Sequence, residues 1–158
     1  MMIGAVIVAV FAVVWTAAGA RVLGRGWMFG LSALAILISV VIVHLAAHHG
    51  SAYPFKFNGA AYGIAVAFEF IGIFVAVMIL RSRRLYEFML RVVSIIVGLH
   101  FFGMVPALGS DEYWWIGAAM CVWPLAVMSL TPWRWWNPTT GLGCAVILWV
   151  SILCSISF

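Results

Sequence analysis

The chain has 158 residues, of which 67% are hydrophobic and 8% charged, with a mean hydropathy of +1.22. Soluble domains carry roughly 25% charged residues, and a water-soluble core of this length cannot hide so much apolar surface. The composition therefore excludes an ordinary soluble protein, and the net charge of +4 marks basic loops beside a membrane rather than a nucleic-acid surface.

Six apolar segments follow in order, at about 2–20, 27–47, 59–80, 90–108, 113–130 and 141–156. Each is long enough, or nearly so, to cross about 30 Å of hydrocarbon as a helix rising about 1.5 Å per residue. Alternation of the kind a transmembrane barrel needs is absent. The expected fold is all-α: one transmembrane domain over 1–158, a polytopic bundle of six helices whose short connections make sequential neighbours antiparallel. Orientation follows from the arginines. Arg21, Arg25, Arg81, Arg83, Arg84, Arg91 and Arg134 fall on one side of this arrangement, and only Lys56 falls on the other. The positive-inside rule then puts both termini on the non-cytoplasmic side of a cytoplasmic (inner) membrane. The N-terminal run has no basic residues before it, so it reads as a retained helix rather than a signal peptide.

Segment one carries a stripe of small residues, Ala5, Ala9, Ala12, Thr16 and Gly19, suited to close helix packing. Gly26 with Gly30, and Gly59 with Gly63, form two further small-xxx-small pairs. Segment two ends with His44 and His48, four residues apart on one face. The turn that follows places Tyr53 and Phe55 near headgroup level. Segment three is apolar throughout except for Glu69 at its centre, on a stripe with Tyr62, Ala65, Gly72 and Ala76. A carboxyl in hydrocarbon is costly and faces a partner, a cavity or a proton. The small residues beside it direct it into the bundle. The basic stretch after segment three, with Arg81, Arg83 and Arg84, suits contact with anionic lipid.

Segment four holds His100 at about the depth of Glu69, with Gly103 and Ala107 on its face and a helix-loosening Pro106 beyond. Its run Gly98-Leu99-His100-Phe101-Phe102, followed by Pro106-Ala107-Leu108, resembles a signature in small uncharacterised bacterial membrane families. The resemblance covers this segment alone and implies six helices and no known activity. Segment five contains Pro124. Tryptophans gather at segment ends as interface belts, with Trp123 and Trp149 as interior exceptions. In segment six, Ser151 and Ser155 can bond their own backbone. Cys121, Cys144 and Cys154 form no CxxC pair and suit buried apolar positions rather than a disulfide framework.

The residues that could carry chemistry are Glu69, His100, His44 and His48. A carboxyl and an imidazole opposed in a low-dielectric interior can share one proton, as an ion pair or a neutral hydrogen bond, and such pairs relay protons or couple them to a solute. This gives the first reading: a small transporter or channel-like protein, proton- or cation-linked, with an outward-opening site around Glu69 and His100 and with His44 and His48 lining the approach. A homodimer could complete a pore.

The alternative is a membrane-embedded metal-binding protein or enzyme. His44 and His48 have ligand spacing, and Glu69 or His100 could add to them. The depths of His48 and His100 differ by several helical turns, which counts against one site holding all four and against a bis-histidine haem. No cofactor is implied. An accessory subunit of a larger membrane complex, with Glu69 and His100 fixing helix register, is the third reading. The absence of a Ser-His-Asp spacing, a phosphate loop, an HExxH motif or an intramembrane lysine argues against nucleotide hydrolysis and retinal binding.

Overall fold

A computed structural model describes residues 2–49 and 57–157. The outer turn expected around Tyr53, Phe55 and Lys56 lies outside the described residues. Among those described the chain is all-helical, with no strand. The helices are α1 (Met2–Ala20), α2 (Arg25–His49), α3 (Gly59–Ser82), α4 (Met89–Leu108), α5 (Glu112–Leu130) and α6 (Trp136–Ser157), with short 3₁₀ turns before α2, α4 and α6. All six are long and apolar enough to span a membrane.

Boundaries agree with the sequence reading within two residues, except at α6, which begins five residues earlier than expected. The tryptophan-rich TPWRWWNP stretch was expected to be an interfacial turn. Its second half is instead the first turn of α6, because Pro138 falls in that turn, where a proline's missing N–H costs nothing. Two helix ends near the future site are well defined. The Asn58 side chain caps α3 by accepting from the Ala61 N–H at 3.2 Å. Gly109 closes α4 in a left-handed conformation, φ 67°, donating its N–H to the Val105 carbonyl at 2.8 Å.

The helices group into two compact units. One comprises Met1–Tyr53 with Asn137–Phe158, and the other Pro54–Trp136. In the first, Ala9, Ile42 and Ile152 bring α1, α2 and α6 together, with Ile38 and Trp149 packed around them. Ser39 ties the three: its hydroxyl donates to the Ala9 carbonyl at 3.3 Å and accepts from the Trp149 indole at 3.0 Å. The small stripe of α1 packs as expected, with Ala9, Ala12 and Thr16 buried. Ser151 and Ser155 do bond their own helix, through the carbonyls of Leu148 and Ile152.

In the second unit α4 lies between α3 and α5. It buries residues on both flanks, while α3 buries only Ala65 and Leu80 and leaves side chains such as Ile64, 71% exposed, to the lipid. The α4–α5 seam is held by glycine. A methyl group built on Gly98 would meet Cys121 Sγ at 2.6 Å and the Gly117 carbonyl oxygen at 2.9 Å. Ser94 donates to the Met120 carbonyl at 2.9 Å beside it. By contrast, Gly26, Gly30 and Gly63 have open space where a side chain would stand. Among the described residues these pairs therefore mediate no close helix contact, Gly59 meeting only the nearby Phe57 ring at 3.4 Å. A five-residue motif with two fixed positions is too common to locate a seam without knowing which face is covered.

Candidate functional site

Glu69 and His100 meet. His100 Nδ1 lies 3.3 Å from Glu69 Oε2, and the two side chains are 8% and 14% exposed respectively. The contact depends on how closely α3 and α4 approach. One turn before Glu69, Ala65 faces Gly103 so tightly that a side chain at 103 would come within 2.9 Å of the Ala65 methyl. One turn beyond Glu69, Gly72 faces Ile96 in the same way, at 3.1 Å. The seam thus runs Ala65 against Gly103, Glu69 against His100 and Gly72 against Ile96, the antiparallel register expected of sequential helices. A further tie is formed where the Asn58 N–H donates to the Ala107 carbonyl at 2.8 Å.

A second acceptor sits at the same imidazole nitrogen. The Ala65 carbonyl oxygen is 3.1 Å from His100 Nδ1. A carbonyl only accepts, so this contact is a hydrogen bond in the tautomer that carries its hydrogen on Nδ1. In that tautomer one N–H is shared between a backbone carbonyl of α3 and the Glu69 carboxyl. Nε2 makes no hydrogen bond among the described residues. The ring is further held by Phe101, edge-on at 5.7 Å, and Phe101 stacks in turn on Tyr113 of α5 at 6.1 Å.

His100 also lines a groove of about 330 Å³ between α3 and α4. Its other walls are apolar, including Ala61, Ile64 and Phe68 of α3 and Leu99, Gly103 and Pro106 of α4. The imidazole is its one polar side chain. All of these residues belong to the half of the seam that holds the start of α3 and the end of α4.

His44 and His48 lie together on α2, in the other unit, with ring centroids 4.4 Å apart and edge-to-face. Both are exposed. His44 stands in a groove of about 600 Å³ between α1 and α2, among residues such as Val6, Val10 and Val40. Among the described residues no three His, Cys, Asp or Glu side chains form a group able to hold a metal ion. Arg81, Arg83 and Arg84 are exposed at the end of α3 and beyond it.

Sequence reasoning found the carboxyl and the imidazole but not the Ala65 carbonyl, since every residue carries one and only the interhelical register selects it. It also read Arg91 as a topology marker, whereas Arg91 is among the most buried side chains of the protein. The Phe88-x-x-Arg91 spacing, which stacks a ring and a guanidinium on one helical face, was the available signal. No protein-family model, curated protein or solved structure matches the chain.

Proposed function

We propose that the protein is a small proton- or cation-linked transporter or channel-like protein of a cytoplasmic membrane, with Glu69 and His100 as its proton-holding pair. The observation that carries this reading is the placement of His100 Nδ1 against both Glu69 and the Ala65 carbonyl, beside a groove whose one polar side chain among the described residues is the same imidazole. Glu69 is the proton or cation acceptor. His100, held by α3 through one nitrogen, keeps Nε2 for exchange with the groove. With the arginine-rich loops placed in the cytoplasm, the groove belongs to the outer half of α3 and α4, so the site opens outward. Its apolar walls suit a solute with an apolar body and one cationic or hydrogen-bonding group.

Magnitudes favour function over architecture. A charged side chain at the bilayer centre costs about 2.5–3.5 kcal/mol on insertion scales. Interhelical hydrogen bonds in membranes average about 0.6 kcal/mol and reach about 1.7. An apolar pair at 69 and 100 would hold the seam better than this one does. The competing reading, a register clamp, is weakened by the Ala65–Gly103 contact, which fixes the same seam without any charge.

The two readings separate in liposomes containing a pH-sensitive dye. Under an imposed potential, Glu69→Gln, which keeps the shape and most of the hydrogen-bonding capacity, is expected to slow proton flux at least tenfold with an unchanged thermal midpoint. Unchanged flux in Glu69→Gln, or no flux in the wild type, contradicts the reading. A lowered midpoint with unchanged flux assigns the pair to register.

A further inference from the structure

Arg91, in the first turn of α4, is 1% exposed, yet its guanidinium is largely without hydrogen-bond partners. Nη2 donates to the Glu87 carbonyl. Nε and Nη1 are buried and have no partner. The Glu87 side chain is exposed; its charge acts on the guanidinium, but among the described residues the two side chains make no direct ion pair. Two aromatic rings lie close to the guanidinium: its central carbon is 4.2 Å from the centroid of Trp136 and 5.0 Å from that of Phe88. Cation–π contact satisfies the faces of a guanidinium but not its edge, where the N–H groups point. Buried N–H groups left unpaired are costly, and more so when they carry charge.

A guanidinium edge presents a planar fork that matches phosphate or carboxylate oxygens. The surroundings select phosphate on a membrane-facing ligand. Arg81, Arg83 and Arg84 are exposed within ten residues and concentrate anions at this end of the unit. Phe88 and Trp136 stand where an apolar span begins, the depth at which aromatic residues meet headgroups. Both rings are only partly buried.

We propose that Arg91 is a phosphate-binding group, whose edge takes phosphate oxygens while Trp136 and Phe88 stack against its faces. The source is either the headgroup of an anionic phospholipid or free inorganic phosphate. The site is separate from Glu69 and His100, and its test does not depend on proton flux.

The experiment has two arms, run on the full chain. In the first, the protein is placed in phosphatidylcholine nanodiscs with or without phosphatidylglycerol, and retained lipid is counted by native mass spectrometry after extraction. In the second, inorganic phosphate is titrated in detergent against the thermal midpoint. The expected result is saturable binding in at least one arm, which identifies the source. Binding should fall at least tenfold in Arg91→Lys, which keeps the charge but loses the planar fork, and severalfold in Trp136→Leu, which keeps apolar bulk but loses the ring. Arg21→Gln, at an exposed arginine of the other unit, should leave it within twofold. Absence of binding by the wild type in both arms overturns the proposal. So does equal binding by the wild type and Arg91→Lys, or, should that variant misfold, by the wild type and Trp136→Leu.

Discussion

Gly141→Leu is expected to destabilise the protein by about 3 kcal/mol or more, the upper end of what overpacking costs. Even the first carbon of a side chain at 141 would stand 2.5 Å from the Trp15 carbonyl oxygen and 2.6 Å from Gly19 Cα. Both obstacles are backbone of α1, so no rotamer change relieves the clash, and α1 and α6 must separate. Separation would forfeit packing among the fully buried residues of the unit: Ala12 on α1, and Cys144, Ala145 and Leu148 on α6. Without a hydrophobic drive between helices in lipid, such van der Waals contact is the main stabilising term. The measurement is the midpoint of unfolding in mixed micelles with increasing denaturing detergent. A shift within error of wild type would mean that α1 and α6 do not approach as described.

Gly98→Leu should act as severely on the other unit. The added carbon would meet Cys121 Sγ at 2.6 Å, the Gly117 carbonyl oxygen at 2.9 Å and the Cys121 backbone nitrogen at 3.0 Å. Gly117 is equally tight from the other side: a side-chain carbon there would stand 2.8 Å from both the Gly98 carbonyl oxygen and the Phe102 ring. The two glycines therefore form one reciprocal contact, and relief on one side worsens the other. The consequence reaches the site, because His100 is two residues from Gly98, and Phe101, packed on His100, stacks on Tyr113 of α5. Gly98→Leu is expected to abolish proton flux together with the folded state, whereas Cys121→Ala, which only removes a sulfur from the seam, keeps both. Retention of flux by a folded Gly98→Leu variant would show that the placement of α4 on α5 does not support the site.

Why these two glycines escaped the sequence reading is instructive. The stripe from Ala5 to Gly19 was legible as a packing face, since small residues repeating at helical spacing let a neighbouring helix approach closely. Ser94 with Gly98, and Gly141 with Ala145, carry the same small-xxx-small spacing, and their importance comes from the helix opposite. Gly26 with Gly30 had the motif but no neighbour on that face. The spans themselves were legible because eighteen or more apolar residues have few other fates. The start of α6 was not, because tryptophan and proline mark both interfacial turns and first turns of helices. Glu69 and His100 stood out as polar groups in hydrocarbon, and their pairing followed from the antiparallel order of α3 and α4. The shared carbonyl of Ala65 depended on register at the level of a single residue. Arg91 was hidden by its type: an arginine beside three others reads as solvated charge until its burial is seen.

The pair at Glu69 and His100 is tested most directly by infrared difference spectroscopy on the reconstituted protein as bulk pH is stepped. A carboxyl that gains and loses a proton gives a C=O stretching band that appears and disappears with pH. Such a band is expected in the wild type, with its loss in Glu69→Gln and a displaced band in His100→Leu, where the imidazole contact is gone. A wild-type spectrum with no pH-dependent carboxyl band, or one that Glu69→Gln leaves unchanged, would contradict a proton-holding role for the pair.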